Sequence, residues 1–231
     1  MAHERFFHTQ RIRGDELVLE GDELFHLSRV LRKKTGDTVW VVDGKGNAFH
    51  TRITAVGSES STAAVIRRYP EFGEPLNRIS LAVGIIKAAH WDILLEKAVE
   101  LGVHAVYPLN TRYTVRTKIK TARAEKIMLS AVKQCGRSRI PQLHPPADLK
   151  GFLRNLPESR VYICDNQEAY PPLSTPGTAE DAVVLVGPEG GFHPAEVQAA
   201  VKAGAEPVLL SKRRLRTETA CIRALDLLVR E

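Results

Sequence analysis

The sequence predicts a mixed fold: a small β-barrel over residues 1–70, then an α/β domain with a parallel sheet over residues 76–231. Two rhythms predict it. Up to about Arg68, short β-branched and aromatic runs alternate with turn residues, as in small barrels. After residue 75, apolar runs alternate with helical periodicities, as in parallel sheets covered on both faces. Between them, Tyr69-Pro70-Glu71-Phe72-Gly73-Glu74-Pro75 fits neither pattern and reads as a linker.

In the first region Glu16 to Leu19 reads as a strand. Asp22 reads as the cap of a brief helix with Leu24, Leu27 and Leu31 on its apolar face. Thr38-Val39-Trp40-Val41-Val42 is a strand by its β-branched and aromatic content. Asp43-Gly44-Lys45-Gly46-Asn47 supplies the residues that tolerate positive φ in a hairpin, and Phe49 to Val56 returns. Gly57 to Ser61 turns again, and Thr62 to Arg67 is the next strand.

The second region opens with a continuous apolar strand, Ile79 to Ile86. Trp91, Leu94, Leu95, Ala98 and Leu101 then share one helical face that Gly102 closes. His104 to Leu109 is a strand. A helix over Thr121 to Cys135 turns Ala124, Ile127, Met128, Ala131 and Cys135 inward, and Gly136 ends it. After Pro141 come a short helix near Ala147 to Leu156, a strand over Arg160 to Cys164, a polar Pro-rich loop, and a strand over Ala182 to Val186. Pro194 suits the first position of the next helix, which ends near Gly204. Pro207 to Leu210 is the last strand. The final helix has Thr217 as its cap, Glu218 in its first turn, and Ala220, Cys221, Ala224, Leu225 and Leu228 inside.

Thirty-three Lys and Arg against twenty-seven Asp and Glu leave a net charge of +6, which permits a polyanionic partner. Between Thr111 and Ile140 nine basic residues (Arg112, Arg116, Lys118, Lys120, Arg123, Lys126, Lys133, Arg137, Arg139) face one acid, Glu125, and this excess reads as a phosphate-binding face. No apolar run is long enough to cross a membrane, and Met1-Ala2-His3-Glu4-Arg5 lacks the order of a secretory signal. Three cysteines without a Cys-x-x-Cys pair read as reduced thiols in a cytoplasmic protein, with Cys135 and Cys164 buried and structural. The eight His show no ligand spacing, so no metal site is predicted. No Ser sits in a nucleophile elbow.

Two stretches carry the chemistry, Val186-Gly187-Pro188-Glu189-Gly190-Gly191-Phe192 and Leu215-Arg216-Thr217-Glu218-Thr219-Ala220. Each follows a strand and leads into a helix, so each lies at the carboxyl edge of the sheet, where small ligands sit. The glycines let backbone approach a ligand with no Cβ between them. Their spacing matches neither a dinucleotide fingerprint nor a phosphate-binding P-loop. A nucleoside without phosphates fits better, and a plain strand-to-helix turn remains the alternative. For the second stretch alone, a helix cap with one solvated Arg is the simpler reading.

Together the two stretches resemble the signature loops of the RsmE-type ribosomal RNA methyltransferases, in the SPOUT superfamily. Arg5-Phe6-Phe7, His26-Leu27-Ser28-Arg29-Val30-Leu31-Arg32, Lys97-Ala98-Val99-Glu100-Leu101-Gly102-Val103 and Gln134-Cys135-Gly136-Arg137 are similar to that family's other motifs, in its order. The resemblance implies a PUA-like RNA-binding barrel, an α/β domain with a C-terminal trefoil knot, and a homodimer. It implies S-adenosylmethionine as methyl donor and a uridine N3 of 16S ribosomal RNA, in the small ribosomal subunit, as acceptor. Carried over by position, the cofactor residues are Leu109, Val186, Gly187, Pro188, Gly190, Gly191, Leu209, Leu210, Leu215, Arg216, Thr219 and Ala220. Arg29, Arg32, Lys33, Lys34, Arg112, Arg116, Gln134 and Arg137 would hold RNA. Three positions depart from the pattern: Ser211 replaces a Gly, Arg214 an apolar residue, and Lys133 the acid that precedes the Gln.

Uracil N3 bears a proton at neutral pH, so its methylation needs a proton acceptor or a cation beside the forming uracil anion. Arg216 is the expected cation; Glu218 either takes the proton or, preferably, orients Arg216. The base must be unstacked to react. Two rivals stay open: a knotted enzyme acting on a ribose 2′-hydroxyl, and a non-catalytic RNA-binding or ribosome-assembly protein.

Overall fold

The structure, a computed structural model, describes residues 6–115, 118–156, 158–175 and 177–231. The chain forms two units, one ending at Glu74 and joined by Leu129–Ile140, the other made of Pro75–Met128 and Pro141–Glu231.

The first unit holds β1 (Phe7–His8), β2 (Ile12–Arg13), β3 (Glu16–Glu20), β4 (Thr38–Val42), β5 (Asn47–Val56) and β6 (Ser60–Pro70). They pair in the order β1-β4-β5-β6-β3-β2. β1 runs parallel to β4, and the other pairs are antiparallel. Because the single segment from Phe7 to Arg13 supplies both outer strands, it draws the two edges of the sheet together as a barrel does. Alternation puts Val39 and Val41 inside with Phe7, Leu17, Leu19, Leu27, Phe49 and Ile53. The β4–β5 turn is held by Asp43, whose carboxylate accepts from the N–H groups of Lys45 (2.7 Å) and Asn47 (3.0 Å). Gly44 and Gly46 take φ of 72° and 109° there.

Helix α1 (Gly21–Phe25) continues as one π-helical turn, His26–Val30. Glu20, not Asp22, stands at its N-cap, without a side-chain bond. The Leu31 N–H reaches back five residues to the His26 carbonyl (2.9 Å). That extra residue per turn swings Leu31 out of the Leu24–Leu27 stripe, so it is 42% exposed instead of buried.

Leu129–Ile140, which the sequence reading places in the second domain, packs with the first unit. Polar pairs distant in sequence tie it there. Lys133 Nζ lies 2.6 Å from Glu23 Oε1, and Arg137 Nη2 lies 2.7 Å from Glu74 Oε2.

In the second unit the chain runs β7 (Ile79–Gly84), α2 (Ala88–Glu100), β8 (Ala105–Asn110), the first part of α3 (Thr121–Cys135), β9 (Gln142–Leu143), β10 (Ala147–Asp148) and α4 (Leu149–Arg154). β11 (Arg160–Cys164), β12 (Ala182–Val186), α5 (Pro194–Lys202), β13 (Glu206–Val208) and α6 (Thr217–Leu228) complete it. Seven strands form one sheet in the order β10-β8-β7-β12-β11-β13, with β9 also on β8. Every pairing is parallel. β7 and β12 are buried throughout, as central strands of a sheet covered on both faces should be. α4 and α5 cover one face through Leu149, Phe152, Val197 and Ala200, while α2 packs on α6.

The two-residue strands β9 and β10 were not foreseen, being too short to show a period. β13 ends before Leu209, whose N–H and carbonyl turn to Pro171 and Leu173. Cys135 is exposed at the end of α3, against the inward placement expected from its spacing.

Candidate active site

The site is built at the carboxyl ends of β7, β11 and β12. β12 delivers Val186 into the loop Gly187–His193. A Cβ on Gly187 would lie 2.7 Å from the Gly191 carbonyl carbon, so the loop folds on itself as only glycine allows. The Gly191 N–H donates to the Pro188 carbonyl (2.8 Å), and Gly191 takes a φ of 73°. His193 caps α5: its Nδ1 accepts from the Ala195 N–H (3.2 Å), and Glu196 accepts from the His193 N–H (2.8 Å). The same Glu196 accepts from the Arg112 N–H (2.9 Å), which anchors the loop after β8. Tyr113 in that loop lies so near Gly190 that a Cβ there would be 2.9 Å from its own.

The second loop closes on the first. Thr217, which the sequence reading makes the cap of α6, is the first helical residue after Arg216. Its Oγ1 donates to the Gly187 carbonyl at 3.0 Å in a site only 4% exposed. Arg214 Nη2 donates to the Glu189 carbonyl (2.9 Å), and Ser211 Oγ accepts from the Arg213 N–H (3.1 Å). Both departures from the family pattern thus serve the loop's own geometry.

Between the loops lies a cavity of about 450 Å³. Val186, Gly187, Pro188, Gly190, Gly191, Leu210, Leu215 and Ala220 line it, together with Lys212, Arg214 and Thr217. Sequence reasoning missed two contributors. Cys164, at the end of β11, and Asp165 and Asn166 after it form a third wall. Gly84, at the end of β7, leaves room for Pro188, whose Cδ would stand 2.4 Å from a Cβ there. A Gly closing a buried strand was the one available signal for it.

Other expected residues stand outside these walls. Leu109 is fully buried in the sheet core, its carbonyl accepting from the Ile85 N–H (3.0 Å). Leu209 is 9% exposed and faces the 171–173 segment. Arg216 and Thr219 are exposed at the start of α6. Glu218 does not reach Arg216 in the bonds of this site; its Oε1 lies 3.0 Å from Nδ1 of His90, in the first turn of α2. Burial pushes the Cys164 and Cys221 thiols up, so neither serves as a thiolate at neutral pH.

The expected RNA contacts divide. Arg29, Arg32, Lys34 and Gln134 are exposed on the first unit, and Arg112 on the second. Lys33 is half-buried and donates to the Thr38 carbonyl (3.3 Å). Arg116 lies outside the described residues. Arg137 is corrected: 5% exposed, its guanidinium is committed to Glu74. Four of the nine basic residues of that stretch, Arg123, Lys133, Arg137 and Arg139, each pair with a carboxylate of a distant segment (Asp92, Glu23, Glu74 and Glu71), and of these Lys133 and Arg137 are enclosed. Local charge counting does not see those partners. No His, Cys, Asp and Glu cluster able to hold a metal occurs among the described residues.

The sequence matches the model of an RNA methyltransferase domain over residues 73–229 and that of an RNA methyltransferase PUA domain over residues 19–66. Ribosomal RNA small subunit methyltransferase E of Mesomycoplasma hyopneumoniae is 32% identical over 169 residues, 71% of this chain and 74% of that protein. The protein of that name from Synechocystis is 28% identical over 95% of this chain and 75% of its own length. Among solved structures, ribosomal RNA small subunit methyltransferase E from Neisseria gonorrhoeae, bound to S-adenosyl methionine, superposes with a TM-score of 0.86. It is 30% identical, over 97% of this chain and 96% of that one.

Proposed function

The chain belongs to the RNA methyltransferase family whose domain model spans residues 73–229, and from that premise we propose that it methylates a uridine N3 of 16S ribosomal RNA with S-adenosylmethionine. The observation that carries the reading is the cavity enclosed by the two Gly- and Leu-bearing loops. Its walls fit this cofactor. Glycine backbone, Leu210 and Leu215 suit an adenosine, and Asp165 and Glu189 supply carboxylates for hydroxyl and ammonium groups. Gly187, Pro188, Gly190, Gly191, Leu210, Leu215 and Ala220 would hold it; bound there, it supplies an electrophilic methyl carbon on a sulfonium.

The chain's own part is to orient the base and manage its proton. Arg216, exposed beside the cavity wall, stabilises the uracil anion on O2 or O4. Glu218 is engaged with His90, so the orienting role first given it toward Arg216 passes to that histidine. Arg29, Arg32, Lys34 and Arg112 remain as phosphate contacts. A homodimer, a trefoil knot and a cytoplasmic site of action belong to the same reading, supported by the family; no helix among the described residues is long and apolar enough to cross a membrane.

The test is to digest ribosomal RNA from cells with and without this protein to nucleosides and to map the altered position. A 3-methyluridine present only with the protein is expected. A 2′-O-methyl nucleoside, or no change in the RNA, refutes the proposal.

A further inference from the structure

We propose that His90 is the general base of the methyl transfer, taking the N3 proton of the uracil through Nε2 while Glu218 holds Nδ1. The inference rests on the functional reading above and supplies the proton acceptor that reading lacks.

Two elements bring the pair together. α2 follows β7, whose final Gly84 abuts Pro188 of the cofactor-side loop. α6 begins at the cavity, with Thr217 and Ala220 in its wall. His90 and Glu218 sit in the first turns of these two packed helices, 128 residues apart in sequence, with Nδ1 and Oε1 3.0 Å apart. The Glu218 side chain is 12% exposed and that of His90 36%, so the carboxylate is enclosed while the ring keeps an open edge.

The chemistry follows from the inventory of donors. In the proposed pair Nδ1 donates its hydrogen to the Glu218 carboxylate, which leaves the lone pair of the ring at Nε2. A carboxylate that fixes the tautomer and steadies the imidazolium is the arrangement that makes histidine a base in hydrolases. In the step, the N3–H bond breaks and an Nε2–H bond forms. The electron pair stays on the uracil, spread onto O2 and O4 beside Arg216, and N3 becomes the nucleophile. Water takes the proton from Nε2 after the product leaves. A carboxylate by itself is a weak base at neutral pH; an imidazole is better matched to it.

The test uses the full chain, labelled S-adenosylmethionine and small ribosomal subunits that lack the methyl group. His90→Ala is expected to lower kcat about 100-fold while leaving the cofactor Kd unchanged, and added imidazole to restore part of the loss. Imidazole should restore nothing to Arg216→Ala. Nitrogen-15 spectra of the free protein should show His90 protonated at Nδ1, and Glu218→Gln should shift that tautomer. An unaltered kcat in His90→Ala, a loss that imidazole leaves in place, or a ring unprotonated at Nδ1 overturns the inference. A wild-type chain that binds the cofactor and methylates no uridine instead overturns the functional reading, and this assignment with it.

Discussion

Arg137→Met tests whether the Gln134-Cys135-Gly136-Arg137 motif serves RNA or the fold. Glu74 is 6% exposed and accepts from Arg137 Nη2 at 2.7 Å and Nε at 3.2 Å. Its Oε1 also accepts from the N–H groups of Ser138 (3.0 Å) and Arg139 (2.8 Å). Removing one partner of a buried pair costs about 3–5 kcal/mol, because the other charge is left unpaired. The two amide donors that remain on Glu74 place this case near 3 kcal/mol, or roughly 6–12 °C at about 2–4 °C per kcal/mol. Scanning calorimetry reads the shift. Arg137→Met with Glu74→Gln should recover much of it, since Gln keeps an oxygen for both amides and carries no charge. Below the transition, the single variant should bind RNA with the wild-type salt dependence. A melting temperature within about one degree of wild type, with weaker RNA binding and a shallower salt slope, would refute the structural role.

Gly84→Ala should impair the cofactor site from outside it: the new Cβ would meet Pro188 Cδ at 2.4 Å and N at 2.6 Å. If about 1.4 kcal/mol of that strain reaches the loop, S-adenosylmethionine affinity falls about tenfold, and unchanged calorimetric affinity would count against the cradle. Replacing Arg29, Arg32 and Lys34 together by Ala should flatten the plot of log K for RNA against log salt by about 2, at about 0.7 per phosphate contact; an unchanged slope removes them from the interface. His144, stacked on Tyr107 at 4.0 Å, has its pKa held below the ordinary 6.5 by burial. The unfolded chain therefore takes up this proton first as the pH falls through about 6.5, so stability is full above that value and declines below it. His144→Phe should lessen the decline in melting temperature between pH 7 and 5, and an equal decline in both proteins would refute the assignment.

The legible parts of the fold were those written in neighbouring residues. Thr38–Val42 is β-branched and aromatic, Trp91, Leu94, Leu95 and Ala98 repeat at helical spacing, and Gly102 and Gly136 take the positive φ that ends a helix. The Gly-rich loop was legible for the same reason, since the need for glycine at Gly187 and Gly191 is a property of local backbone. Errors arose where a residue's partner was far away or where the helical pitch changed locally. Thr217 has the right chemistry for a cap, but a buried carbonyl thirty residues back claims its hydroxyl. Leu31 obeys the helical spacing, but the π-turn shifts the phase before it.

By itself the sequence determined a β-rich region followed by an α/β region, the longer strands and helices within them, and the two loops that carry the family's motifs. Only the tertiary structure decided which side chains meet: Glu218 with His90, Glu74 with Arg137, Thr217 with the Gly187 carbonyl. Period and backbone preference act over a few residues and leave a pattern in the chain. An ion pair or a buried hydrogen bond depends on which segments the fold brings within about 3 Å, and no local spacing records that choice.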